Sequence, residues 1–149
     1  EKIWYMFSTE KNNFHKNNLN IFYSDSLYGD WLPHPKNPVK KDIRSARSAG
    51  AIINIDQNLY RPSMDYSKKI EGRIIISKID KLSKTDYSES FYMHINPIKN
   101  SLYPDKIHTI GKIENQTIID ACREEIIFSS IFFLKYQLKN IYLKLKKLI

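Results

Sequence analysis

The chain has 149 residues, enough for one domain with a real core, and 42% of them are hydrophobic. Its formal charge is +8, but the lysines are scattered through most of the chain rather than gathered in one stripe, so nucleic acid is not an expected partner. A single cysteine, Cys122, excludes an internal disulfide and fits a reducing, cytoplasmic compartment, and no run of about 20 uncharged apolar residues could span a membrane.

The first residue is Glu1 rather than Met, which suggests a processed chain or a fragment of a longer one. The aromatic and Ile-rich composition favours strands. Residues 3–9 (IWYMFST) form the first, and residues 18–25 the second, with Leu19, Ile21 and Tyr23 on one face at period two. The three prolines of WLPHPKNPV exclude a helix or a central strand and predict an extended edge segment. Residues 42–50 (DIRSARSAG) are a loop closed by a glycine. GAIINI and NLYRP make a hairpin across Asp56-Gln57, residues 72–80 a further strand, and KLSKTDYSESFYMHI a turn and another strand. Residues 108–122 form a last hairpin that turns at Glu114-Asn115.

From Glu124 onward the periodicity changes. Ile127, Ile131, Leu134, Leu138, Ile141, Leu145 and Leu148 are spaced 4, 3, 4, 3, 4, 3, the a/d seam of an amphipathic helix. Acidic Glu124 and Glu125 suit its start, and Lys144, Lys146 and Lys147 its end. Such a helix packs on its own sheet, self-associates through residues 124–149, or lies on an anionic membrane as a peripheral contact.

A strand that ends on an acid recurs: Trp4 to Glu10, Leu59 to Asp65, Ile118 to Glu124. The copies are roughly 55 to 60 residues apart, the length of one four-stranded propeller blade. The expected fold is therefore all-β, a partial β-propeller of about two to three blades over residues 1–123, followed by the helix at 124–149. In that frame LYRPSMD is an innermost strand, Pro62 is tolerated at a free edge, and Arg61 and Asp65 meet a central funnel.

The blocks FSTEKN, LNIFYSDSLYGDWLPHPKNPV, IRSARSAG, LYRPSMDYS and HTIGKIENQTIIDACR resemble the amino-terminal domain of glucosamine inositolphosphorylceramide transferases and their bacterial relatives. The likeness runs from about Trp4 to Arg123. It implies a five-bladed propeller, related to furanosidase-type glycoside hydrolases, of which this chain holds the carboxyl-terminal blades. It also implies an attached or partner transferase domain. Three positions depart from the family pattern: Met64 where Gln precedes the acid, Ile70-Glu71 where Tyr-Gly is usual, and Ala121 where Gly is usual.

Glycoside hydrolysis needs two carboxylates flanking the bond, and the repeat places Glu10 and Asp65 in comparable positions as the candidate catalytic pair. The competing reading makes them strand-end caps paired with Arg47 and Arg61. Arg47, Arg61 and Arg123 present planar forks suited to a glycan, sugar phosphate or nucleotide sugar. Equally, they are suited to salt bridges with Glu10, Asp65 and Asp120. His108 and Asp120 complete the candidate binding set, and His108 serves a funnel site by the resemblance. No cofactor and no metal is expected, since no phosphate-binding glycine loop and no zinc spacing occurs. Three functions follow: a carbohydrate- or sugar-nucleotide-binding module of a glycosyltransferase-associated protein, a glycoside hydrolase in its own right, or a non-catalytic remnant that self-associates.

Overall fold

The computed structural model describes residues 2–9, 18–67 and 72–124, and among them every regular element is a β-strand. The first sheet holds β1 (Trp4–Ser8), β2 (Asn18–Ser24), β3 (Leu32–Pro33) and β4 (Lys40–Lys41). β1 takes one edge of β2, and β3 and β4 share the other as two short pieces. The prolines between them cannot supply ladder donors, and a side chain fills the gap. Asn37 Oδ1 accepts from the Ile21 N–H at 2.8 Å, and its Nδ2 donates to the Ile21 carbonyl at 2.7 Å. The Asn37 amide thus stands in for a strand peptide beside the fully buried Ile21.

The second sheet is an antiparallel meander of β5 (Ile53–Ile55), β6 (Asn58–Met64), β7 (Ile74–Leu82) and β8 (Tyr87–Ile95). Asp56 and Gln57, at φ 48° and 64°, make the two-residue turn between β5 and β6, as type I′ geometry requires. β9 (Lys106–Ile113) and β10 (Gln116–Cys122) form a separate two-stranded sheet.

Residues 47–50 join the second and third sheets. The Met64 N–H donates to the Arg47 carbonyl (2.9 Å), the Ala49 N–H to the Pro62 carbonyl (3.0 Å), and the Ile110 N–H to the Ala49 carbonyl (2.8 Å). Gly50 passes so close that an added Cβ would sit 2.0 Å from the Ile110 carbonyl oxygen, at a φ of 144° that side chains avoid. Behind this tie lies the core cluster of Ala49, Met64, Ile74, Ile76, Ile107 and Ile110. The first sheet meets the second through Phe7 edge-on to Tyr87 (5.9 Å) and the ion pairs Lys36–Asp86 (2.7 Å) and Lys84–Asp25 (2.8 Å).

The all-β class holds, but the partial five-bladed propeller does not. The described strands form three antiparallel sheets with open edges that close into no ring. The three repeat copies also occupy unlike places. β1 is an edge strand, β6 an interior strand and β10 one half of a two-stranded hairpin. β6 has no free edge at Pro62, because β5 ends opposite Tyr60 and the 47–49 segment takes over from there. Pro62 is accommodated because that segment accepts from Met64 N–H and donates to the Pro62 carbonyl, and requests nothing of the missing Pro62 N–H. Among the described residues there is no helix. The helix expected from Glu124 lies, beyond Glu124 itself, outside them.

Candidate ligand-binding cleft

Strand alternation gives the second sheet two chemically different faces. β7 and β8 pair Ile75 with His94 and Ser77 with Phe91, and the same register continued sets Arg73 beside Asn96. This row lines two cavities that share Arg73. One, of about 350 Å³, is bounded by Lys40, Arg44, Ser45, Arg73, Phe91 and His94, among others. The other, of about 520 Å³, is bounded by Asp65, Arg73, Asn96, Lys99, Pro104 and Asp105, among others. Phe91 is 62% exposed, and its ring tilts against His94 at a centroid distance of 4.8 Å.

Among the described residues, each cation around the smaller cavity has a carboxylate partner. Arg73 donates through Nε to Asp65 Oδ2 at 2.5 Å, and Asp65 Oδ1 accepts from the Ser67 N–H (2.8 Å) and hydroxyl (2.5 Å). Burial alone would raise the Asp65 pKa, but the Ser67 and Arg73 hydrogen bonds outweigh it and hold the group below its ordinary value. Arg44 donates to Asp42 Oδ1 through its backbone N–H (3.0 Å) and Nε (3.2 Å), and the Ser45 hydroxyl donates to Oδ2 (2.8 Å). Burial again opposes ionisation, and these bonds again win, so Asp42 too is held down.

Lys40 leads beneath the floor. Its Nζ lies 2.5 Å from Glu89 Oε1, and Glu89 is gripped by the fully buried Arg61. Arg61 Nε donates to Oε2 and Nη2 to Oε1, both at 2.7 Å, while Nη2 also meets the Ser45 carbonyl at 2.5 Å. The Tyr87 hydroxyl donates to Glu89 Oε2. Burial would push the Glu89 carboxyl up, yet the Arg61 fork, Lys40 and Tyr87 draw it down to about 2. Burial raises the Tyr87 phenol, keeping it a donor. The network fixes β8 and the Lys40–Ser45 wall of the cleft relative to β6.

The residues singled out from the sequence are distributed over this framework. Asp65 is buried and lines the larger cavity beside Arg73. Arg61 is buried under the cleft, and Arg47 stacks over Tyr66 at 5.4 Å. His108 Nδ1 lies 3.7 Å from Asp120 Oδ2, and both border a separate cavity of about 180 Å³ with Cys122. Asp120 Oδ1 accepts from the backbone N–H groups of His108 (2.9 Å) and Thr109 (2.5 Å). Arg123 is exposed beyond β10, and Glu10 lies outside the described residues. Among the described residues, no group of three His, Cys, Asp or Glu side chains could hold a metal, and no helix is long and apolar enough to cross a membrane.

The cleft's own residues, Arg44, Arg73, Phe91 and His94, were not singled out. Period-two alternation of Arg73, Ile75 and Ser77 in GRIIIS was the available signal for a polar strip on β7. No such signal marked β8, where a bulge breaks the alternation between Phe91 and Met93.

The family model described as "Glucosamine inositolphosphorylceramide transferase 1, N-terminal" matches residues 1–102. Among curated relatives, glucosamine inositolphosphorylceramide transferase 1 of Arabidopsis thaliana is 44% identical over 73 residues, 48% of this chain and 10% of the relative. The protein of the same name from Oryza sativa subsp. japonica is 34% identical over 92 residues, 58% of this chain and 12% of the relative. The chain thus spans about a tenth of the length of these relatives. No solved structure matches it.

Proposed function

Because the chain belongs to the glucosamine inositolphosphorylceramide transferase 1 N-terminal family, we propose that it is a carbohydrate-binding module of a glycosyltransferase-associated protein, with its site in the cleft on β7 and β8. The relatives' name supports the association with sugar transfer. The observation that carries the binding site is the pairing of every cation among the described residues around the smaller cavity with a carboxylate, beside an exposed aromatic ring. A phosphate would have to compete with Glu89, Asp42 and Asp65 for those cations. A sugar hydroxyl donates to the carboxylates and accepts from Arg73, Arg44 or the serines without breaking a pair. Phe91 offers an apolar platform for the ring face of a pyranose. The ligand chemistry favoured is a polyhydroxylated glycan whose recognised part is uncharged.

Calorimetric titration with neutral methyl glycosides and with the matching sugar phosphates tests this. The expected result is binding of a neutral glycoside that hardly changes between low and high salt. Phe91→Ala and Arg73→Ala should each weaken it roughly 10-fold or more, the scale of one lost charged hydrogen bond or ring contact. Binding of sugar phosphates alone, falling steeply with salt, would refute the assignment.

A further inference from the structure

The opposite face of the second sheet carries a further cavity of different character. It measures about 210 Å³ and is walled by Ile53, Ile55, Tyr60, Ile76, Met93 and Ile95 together with Tyr92 and, from the facing hairpin, Ile110, Gly111, Lys112 and Thr117. Strict alternation along β8 would give this face only every second residue. The bulge changes that: Ile76 faces Met93 and Ser77 faces Phe91, so Tyr92 is the extra residue. Tyr92 and Met93 consequently both wall this cavity, and Tyr92 packs on Tyr60 at 4.9 Å. The cavity is open, for Ile55, Tyr92 and Met93 remain 46%, 56% and 44% exposed. Among the described residues its one charged wall residue is Lys112.

We infer that this cavity, enclosed between the reverse face of β5–β8 and the β9–β10 hairpin, binds the alkyl chain of a small anionic amphiphile whose headgroup meets Lys112. Apolar walls with a cation among them are complementary to that ligand and to neither a sugar nor a free anion. At about 30 Å³ per heavy atom, the share a water molecule takes in its liquid, the space accepts a chain of roughly seven atoms. The site is independent of the sugar cleft, which lies on the other face.

The experiment titrates the whole chain with butanoate, hexanoate, octanoate and decanoate, with octanamide as the uncharged control, while NMR follows the Tyr60 and Tyr92 rings and the Met93 methyl. Affinity should rise about four-fold per added methylene and level off near octanoate, when the cavity is full. Lys112→Gln should weaken octanoate and leave octanamide unchanged. Met93→Asp, at a partly exposed position, should remove binding of both while the spectrum otherwise stays that of the folded chain. Affinity independent of chain length, shifts confined to Phe91 and His94, or a face occluded by a second copy of the chain would each overturn the inference.

Discussion

Replacing Glu89 by Gln keeps the shape of the side chain and removes its charge from the buried pair with Arg61. Arg61 is fully buried, its Nη1 already has no hydrogen-bond partner, and after the change the neutral Ser45 carbonyl, Tyr87 hydroxyl and one amide oxygen face the guanidinium in place of a carboxylate. Removing one member of a buried pair costs about 3–5 kcal/mol, because the remaining charge is left uncompensated. Proton linkage gives a second figure. The Glu89 carboxyl is drawn from 4.5 to about 2, a difference worth roughly 3 kcal/mol at neutral pH. The sign follows from the depressed value. The stabilisation is fully present above the ordinary pKa of 4.5 and is lost as pH falls toward about 2. Urea unfolding of both proteins at pH 7, 5, 4 and 3 should therefore show a gap of about 3 kcal/mol at neutral pH, narrowing to roughly half of that or less at pH 3 as the unfolded carboxyl takes up a proton that the native one does not. Other carboxylates titrate in both proteins and cancel in the difference. A gap below about 1 kcal/mol at pH 7, or one that stays constant with pH, would show that Arg61 and Glu89 do not form the buried charge pair described.

Gly50→Ala forces a Cβ onto the Ile110 carbonyl at a φ of 144°, and should destabilise by roughly 2–3 kcal/mol, read as a lower urea midpoint with an unchanged slope. Asn37→Ala leaves the Ile21 N–H of β2 without its partner and its carbonyl with the His34 N–H alone, and should cost about 1–3 kcal/mol, with faster amide exchange at Ile21 as its local signature. Asp65→Asn weakens the grip on Arg73 and tilts the charge balance of the cleft toward positive. It should lower affinity for a neutral glycoside while raising that for a sugar phosphate, measured in the same titrations.

Much of the strand order was legible because it is written locally. Asp56-Gln57 and Glu114-Asn115 are turn dipeptides between apolar runs, and the structure turns at both. The proline-rich stretch at 31–39 could only be an interrupted edge, which is what β3 and β4 are. What failed was the step from repeated spacing to architecture. A recurring interval of strand and acid says nothing about whether a strand lies at an edge or in the interior, and β1, β6 and β10 differ in that respect. The site was hidden for a related reason. Arg61 finds its partner 28 residues later in Glu89, and Asp65 finds Arg73 rather than Arg61, because partners across a sheet are chosen by register. Register on β8 depends on a bulge, and no residue type in YSESFYMHI announces one.

That bulge makes β8 a strand of two parities. Below it, odd-numbered Glu89 and Phe91 share a face with Arg61 and Ser77; above it, even-numbered His94 and Asn96 continue the same face. Tyr92 is the residue at which the count changes. Substituting it alters one wall of one cavity. Deleting it would leave Met93 opposite Ile76 and Phe91 opposite Ser77 in a regular ladder, so that Glu89 keeps Arg61 and Phe91 keeps its face while the apolar cavity loses an aromatic wall. In this protein the bulge therefore serves the apolar face, and the ion pair and the cleft on the other face do not depend on it.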